Sequence, residues 1–172
     1  ELGRRLPAFN RKLDWLIVAA TEEDDVAALP RVIERYPPDA VLWSGNTQAS
    51  FSSGVLNEYL SLSDISVVNA EPEQVLDLGD GATLRVLTAG PRGSVLLVEW
   101  GNFRALLPVG MSFEALDELG SGAEIGPVSL LSLADSGYGP SNPPEWIAHL
   151  NPELIVLSVS AADKNGLPDG EV

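Results

Sequence analysis

Four consecutive acidic residues, Glu22-Glu23-Asp24-Asp25, form the densest group of chemically useful side chains in the sequence. Carboxylates are the ligands that Mg²⁺, Ca²⁺ and Mn²⁺ prefer, so this run could contribute to a metal site. The run also lies where a helix is expected to begin, and acids in a first helical turn complement the helix dipole and its free N–H groups. We favour this local explanation, and a metal site remains the alternative.

The rest of the composition excludes most other catalytic centres. The chain has no cysteine, which excludes disulfides, thiolate metal sites and cysteine nucleophiles. His149 is the single histidine in the sequence, so sites that need two imidazoles are excluded as well. Ser136, Tyr138 and Ser141 lie outside any G-x-S-x-G motif, and the glycine-rich turns lack the phosphate-loop pattern. Among the possible catalytic groups of this chain, we therefore favour its carboxylates.

The net charge of the 172 residues is −15, from 10 basic and 25 acidic side chains. Charge is nearly balanced over residues 1–35, so the acidity belongs to residues 36–172. Basic side chains supply the non-specific attraction of a protein to phosphates. We therefore expect no direct binding of nucleic acid.

The hydrophobic pattern predicts a single α/β domain over residues 1–172. The apolar run Leu13–Ala20 predicts a strand buried on both faces, and Thr21 is expected to cap the following helix. Alternating helices and strands flank a central series of hairpin-linked strands, which favours a layered sandwich over a doubly wound sheet. The predicted strands are 13–20, 40–43, 66–68, 74–78, 82–88, 94–100, 103–107, 128–133 and 154–159, and the predicted helices lie within 22–36, 50–62, 113–119 and 145–150.

The segment LDWLIVAATEEDDVAALP (13–30) resembles the first motif block of the metallo-β-lactamase fold, in particular that of ComEC-type competence proteins. The family block is an apolar strand followed by Thr/Ser-His-x-Asp-x-Asp-His and Ile-Gly-Gly-Leu. Three further blocks resemble the family in the same order, at residues 103–116, 130–141 and 150–172. The resemblance implies a four-layer αββα sandwich that lacks its first strands.

Aligned on these blocks, the chain has lost the metal ligands of the family. Every histidine position holds another residue, and a glycine stands at the position of the metal-bridging aspartate. Catalysis in this fold needs convergent ligands around bound metal, and alanine, glycine and leucine side chains cannot coordinate. The vestigial site positions are Ala20, Glu22, Asp24, Asp25, Gly110, Asp135, Ser136 and Leu167.

The resemblance thus implies a non-catalytic domain of a ComEC-type DNA-uptake protein, with a structural or interaction role and no cofactor. The alternative is a metal-dependent hydrolase, similar to a nuclease or phosphodiesterase, with a carboxylate-only site. A weak Mg²⁺, Mn²⁺ or Ca²⁺ site at Glu22, Asp24 and Asp135 would serve that alternative.

The same resemblance implies that the partner of this domain is the remainder of a longer chain, including a polytopic membrane part. The region would then be a soluble domain of a bacterial inner-membrane protein, and its longest apolar runs, such as Leu16–Ala20, are far too short to span a membrane. The first strands of the family would precede Glu1. We therefore expect an uncovered sheet edge, which a second copy or another segment could cover.

Overall fold

The structure, a computed structural model, describes residues 12–159 and 166–170. Two β-sheets pack face to face, and helices cover both outer faces, which confirms the predicted four-layer αββα sandwich. The strands are β1 Leu13–Val18, β2 Pro38–Trp43, β3 Ser66–Asn69, β4 Val75–Gly79, β5 Ala82–Gly90, β6 Gly93–Trp100, β7 Phe103–Leu107, β8 Leu130–Ser132 and β9 Leu154–Val156. The helices are α1 Glu23–Val26, α2 Leu29–Arg35, α3 Phe51–Ser61, α4 Phe113–Leu119 and α5 Pro144–Leu150.

The first sheet has three parallel strands in the order β1-β2-β3. Val18 and Val41 pack against the helices α1 to α3, whereas Ile17 and Leu42 face the second sheet. This burial on both faces is the reason for the nearly continuous apolar run in β1. The sequence pattern placed β3 in the hairpin series, but β3 pairs with β2 in the first sheet.

The second sheet has six strands in the order β4 to β9. Strands β4 to β7 form an antiparallel meander, and β8 and β9 add to it in parallel. Val86 and Leu96 face the first sheet, whereas Leu97 and Leu131 pack with Trp146 in the layer of α4 and α5. The core is therefore split into three apolar layers, which fix the strand ends that carry the acidic residues.

The helix predicted after Thr21 is divided into α1 and α2. Pro30 lacks the N–H that a continuous helix needs, and its ring would clash with the carbonyl group of Val26. The predicted cap is wrong: the N-cap position of α1 is Glu22, whose side chain accepts no hydrogen bond from the helix N–H groups, and Thr21 Oγ1 has no hydrogen-bond partner among the described residues. The sequence signal was misleading because Thr21 is buried in the protein.

The continuous apolar run 154–159 predicts a strand in the interior, and this prediction is wrong. In β9, Leu154, Ile155 and Val156 are 56%, 44% and 40% exposed. In the part of the chain that the structure describes, β9 pairs with β8 on one side and with no strand on the other. The apolar run therefore forms an edge strand, which the sequence pattern does not distinguish from a buried one.

Candidate functional site

Most of the vestigial positions line one cavity of about 350 Å³, at the ends of β1, β7 and β8. Its wall includes four carboxylates and one guanidinium group, that of Arg92. Pro108, Val109 and Ser158 complete different sides of it. The predicted positions that line the cavity are Ala20, Glu22, Asp24, Asp25, Asp135 and Ser136.

A close backbone contact places Arg92 beside the end of β1. Arg92 lies in the turn between β5 and β6, where Gly90 and Gly93 pair across two intervening residues. Gly93 has φ +144°, and a Cβ there would lie 2.1 Å from the Ala19 carbonyl oxygen. Because glycine allows this approach, Ser94 N–H donates to Ala19 O at 2.8 Å and holds the turn next to the cavity.

Arg92 joins two acidic segments that are far apart in the sequence. Its Nη2 donates to Glu22 Oε1 at 3.2 Å and to Asp135 Oδ1 at 3.0 Å. Burial lowers the pKa of the Arg92 guanidinium, but the charge and hydrogen bond of Asp135, followed by those of Glu22, outweigh burial and raise that pKa. We refer to this arrangement of Arg92, Glu22 and Asp135 as the Arg92 bridge.

The loop that carries Asp135 is held by a buried asparagine. Asn142 Oδ1 accepts from Ala134 N–H at 2.9 Å, and Asn142 Nδ2 donates to the carbonyl oxygens of Ala134 and Tyr138. Asp135 has φ +45°, a conformation that aspartate tolerates better than most residues. Ser141 Oγ donates to Asp135 Oδ2 at 2.6 Å, so both carboxylate oxygens of Asp135 have partners within the protein.

The four-residue acidic run is divided among different environments. Glu22 belongs to the Arg92 bridge, whereas Glu23 accepts hydrogen bonds from the hydroxyl and the backbone N–H of Ser52, and these lower its pKa. Burial raises the pKa of Asp25, and the neighbouring charges of Glu22 and Asp24 add to this effect. Glu22 and Glu23 are therefore engaged with different partners, and the run is not one continuous group of unpaired carboxylates.

Two predicted positions lie outside the cavity wall. Gly110 packs behind the wall, where a Cβ would lie 2.2 Å from Ser94 N. Leu167 is half-buried in the segment 166–170, whose Asp169 N–H donates to Gly137 O at 3.0 Å. The structure therefore brings together the positions from the first and third motif blocks, but not these two.

The residues that line this cavity do not fit the metal centre that the fold family implies. Among the described residues, no group of three or more His, Cys, Asp and Glu side chains is placed to hold a metal ion. Glu22 and Asp135, the carboxylates that approach each other from opposite sides, are already bridged by the guanidinium group of Arg92. A cationic side chain thus stands where metal coordination would require vacant carboxylate oxygens.

Sequence reasoning missed Arg92, Ser141 and Asn142 as members of the site. The hairpin-linked strands predicted at 82–88 and 94–100 place Arg92 in a turn, which is correct, but the sequence pattern does not indicate its partners. One signal was present: residues 36–172 contain few basic residues, and Arg92 lies at the tip of a tight turn. Asn142 gave no comparable signal, because glycine, serine and proline dominate its segment.

No protein-family model and no curated protein matches this chain. Among solved structures, a mutant of the CmlA β-hydroxylase superposes with a TM-score of 0.59 and 16% identity, over 88% of this chain and 37% of that one. CmlA itself, described as a diiron β-hydroxylase from Streptomyces venezuelae, gives a TM-score of 0.59 and 20% identity, over 88% and 36%. This chain therefore spans little more than a third of the length of the CmlA chains.

A third structure is described as a putative Zn-dependent hydrolase of the metallo-β-lactamase superfamily from Thermotoga maritima. It matches with a TM-score of 0.36 and 15% identity, over 69% of this chain and 57% of that one, which is too low to support an argument. The two CmlA matches show a shared fold and nothing about shared chemistry, because their identity is low.

Proposed function

We propose that this chain is a non-catalytic metallo-β-lactamase-like domain with a structural or interaction role. The observation that carries the proposal is the Arg92 bridge, in which one nitrogen atom lies 3.2 Å from Glu22 and 3.0 Å from Asp135. A guanidinium group neutralises carboxylates as a metal ion does, but it has no vacant orbital with which to coordinate a water molecule and lower its pKa. The bridge thus stabilises the loops without supplying hydrolytic chemistry.

We further propose that the domain belongs to a ComEC-type DNA-uptake protein. The support is the order of four motif blocks at residues 13–30, 103–116, 130–141 and 150–172, together with the sandwich fold. In that setting the domain would face the remainder of its own chain near a bacterial inner membrane. The helices within residues 12–159 and 166–170 include none with the length and apolar character of a membrane span.

The alternative function is a metal-dependent hydrolase that uses carboxylates alone. One observation supports this alternative, because the same cavity is lined by Glu22, Asp24, Asp25 and Asp135. A hard cation in that cavity would have to displace Arg92 from Glu22 and Asp135 before it gained their oxygens. The ion would then have no imidazole ligand, and we expect it to bind weakly and to keep several waters.

A hydrolysis assay separates the two functions. The full chain is incubated with Zn²⁺, Mn²⁺ or Mg²⁺ and with a chromogenic phosphodiester, single-stranded DNA or a chromogenic β-lactam. We expect turnover no faster than that of the Asp24→Ala, Asp135→Ala double variant. Metal-dependent turnover by the wild-type chain that this double variant loses would overturn the non-catalytic function.

A further inference from the structure

Among the residues that the structure describes, no strand pairs with the outer edge of β9. Leu154 N–H donates to Ser129 O, and Val156 O accepts from Leu133 N–H, so these two residues direct backbone groups toward β8. Successive residues of a strand direct their backbone groups to opposite sides. The N–H and C=O of Ile155 therefore point away from β8, toward the open edge.

The side chains of β9 are open on both faces of the sheet. Leu154 pairs in register with Leu130 and lies on the face toward the first sheet, yet it is 56% exposed. The contacts of the first sheet extend to Leu107 of β7, so β9 lies beyond its cover. Ile155, on the other face, is 44% exposed. An apolar strand with a free edge is a template for the addition of another strand.

The charges near β9 indicate which side chains a strand that adds to the outer edge of β9 should carry. Ser158, two residues after β9, lines the acidic cavity, whose wall includes, among the described residues, four carboxylates and the guanidinium group of Arg92. Glu153 lies immediately before the strand and is exposed. A strand that pairs with β9 therefore ends beside a negatively charged cavity, which attracts a lysine or arginine side chain.

A second copy of the chain does not match this charge. In an antiparallel pair of β9 strands centred on Ile155, Glu153 of the second copy would lie opposite Leu157, next to the acidic cavity. Residues 144–159 contain no lysine or arginine that could take its place. Each chain also carries a net charge of −15, so self-pairing brings two acidic surfaces together.

We propose that β9 docks an extended segment of a partner protein, which adds to the six-stranded sheet at the edge of Ile155. Its alternate apolar side chains cover Leu154 and Val156, and a lysine or arginine at its end beside Ser158 enters the acidic cavity. This inference specifies the interaction role of the proposed function, but peptide docking and hydrolysis are measured separately. A negative result in the peptide-binding assay therefore does not contradict the non-catalytic function, and hydrolysis by the chain would not contradict peptide docking.

The direct test uses short fluorescein-labelled peptides of alternating valine and threonine. Two of the peptides carry a pair of lysines, one at its carboxyl end and the other at its amino end. Each has its own control, in which two glutamates replace the two lysines. We expect one lysine peptide to bind the full chain at least about tenfold more tightly than its glutamate control, with an affinity that falls as salt rises. Equal binding of lysine and glutamate peptides, or no binding of any, would overturn the proposal.

Variants locate the binding. Ile155→Pro removes the outward N–H at an edge position, where proline is tolerated, and should abolish peptide binding while circular dichroism remains unchanged. The Asp24→Asn, Asp25→Asn double variant should weaken binding of the lysine peptide about tenfold, whereas the Asp64→Asn, Glu71→Gln control, with the same charge change at the far edge of the first sheet, should not. Concentration-dependent dimerisation that Ile155→Pro abolishes would favour a second copy instead and overturn the proposal.

Discussion

Behind the acidic cavity, main chains meet with no room for a side chain, whereas at its rim long charged side chains meet in partial contact with solvent. A Cβ on Gly93 would lie 2.1 Å from Ala19 O, and one on Gly110 would lie 2.2 Å from Ser94 N. At the rim, the side chains of Arg92 and Glu22 are 45% and 65% exposed.

This difference predicts which positions around the cavity constrain the fold most. The contact of Gly93 with Ala19 joins the two sheets, and that of Gly110 with Ser94 packs the segment after β7 against β6. Any residue other than glycine at these two positions would have to move the backbone. The rim tolerates exchange, because a charge pair in water depends on position less strictly than packed backbone does. Substitutions behind the cavity should therefore affect stability far more than substitutions at the rim.

The largest effect is expected for Gly93→Ala or Gly110→Ala. Each new Cβ would overlap backbone atoms, and we expect a loss of about 3 kcal/mol or more in the free energy of unfolding. Urea denaturation measures this loss. Gly90→Ala is the matched control, since no atom lies within 4 Å of its Cβ position, and it should change stability by less than about 1 kcal/mol. Equal stability of Gly93→Ala and Gly90→Ala would contradict the comparison.

A smaller effect is expected at the helix ends. Ser50 forms a capping box with Ser53 at the start of α3, and its hydroxyl donates to Thr21 O at 2.9 Å. Ser50→Ala should therefore cost about 1.5 kcal/mol in thermal or urea unfolding. Thr21→Val keeps the side-chain shape and removes a buried hydroxyl that lacks a described partner, so it should cause no loss. A greater loss for Thr21→Val than for Ser50→Ala would show that Thr21 has a capping role after all.

At the rim, Arg92→Ala removes both ion pairs of the Arg92 bridge. Because these groups are partly exposed, we expect a loss of about 1 kcal/mol at low ionic strength and a smaller loss in molar salt. Urea unfolding at the two salt concentrations provides the measurement, and Arg31→Ala, an exposed arginine on α2, is the control. A loss that does not depend on salt would indicate that Arg92 acts through packing instead of charge.

The smallest effect concerns Asp25, whose pKa burial raises above the ordinary value of 3.8. The folded protein then binds this proton more tightly than the unfolded chain, so ionised Asp25 costs stability above its folded pKa. Asp25→Asn should add no more than about 0.5 kcal/mol at pH 7, because the group is largely exposed. The gain should fade as the pH falls through the raised pKa of the folded state towards 3.8 and should be nearly absent below it, and melting curves from pH 3 to pH 7 measure it. A gain that persists at pH 3 would mean that charge is not its cause.

Much of the fold could be predicted because hydrophobic periodicity reflects which faces are buried. The continuous apolar run of β1 and the alternating residues of β4 and β5 correspond to a strand that packs on both of its faces and to a half-buried hairpin. Whether β9 is an edge strand or a buried strand could not be predicted, since the sequence of Leu154–Val156 is equally apolar in both cases. The break between α1 and α2 was present in the sequence as Pro30, but the helical spacing on both sides concealed it.

The acidic residues of the site could be predicted from the sequence, but Arg92, the side chain that joins them, could not. Glu22 and Asp135 were placed in one cavity through the resemblance of motif blocks, and no spacing in the sequence would have paired them. Arg92 lies 70 residues from Glu22 and 43 from Asp135 along the chain, so the bridge is a consequence of sheet packing at Gly93. Contacts of this range depend on the assembled fold and leave no local pattern.

Calorimetric titration of Mn²⁺ and Zn²⁺ into the metal-free wild-type chain tests most directly whether the Arg92 bridge takes the place of a metal ion. With Glu22 and Asp135 bound to Arg92, we expect no saturable binding of either ion to the wild-type chain. Arg92→Ala frees both carboxylates and should allow weak binding of Mn²⁺. One-to-one binding to the wild-type chain, lost in the Asp24→Ala, Asp135→Ala double variant, would contradict this interpretation.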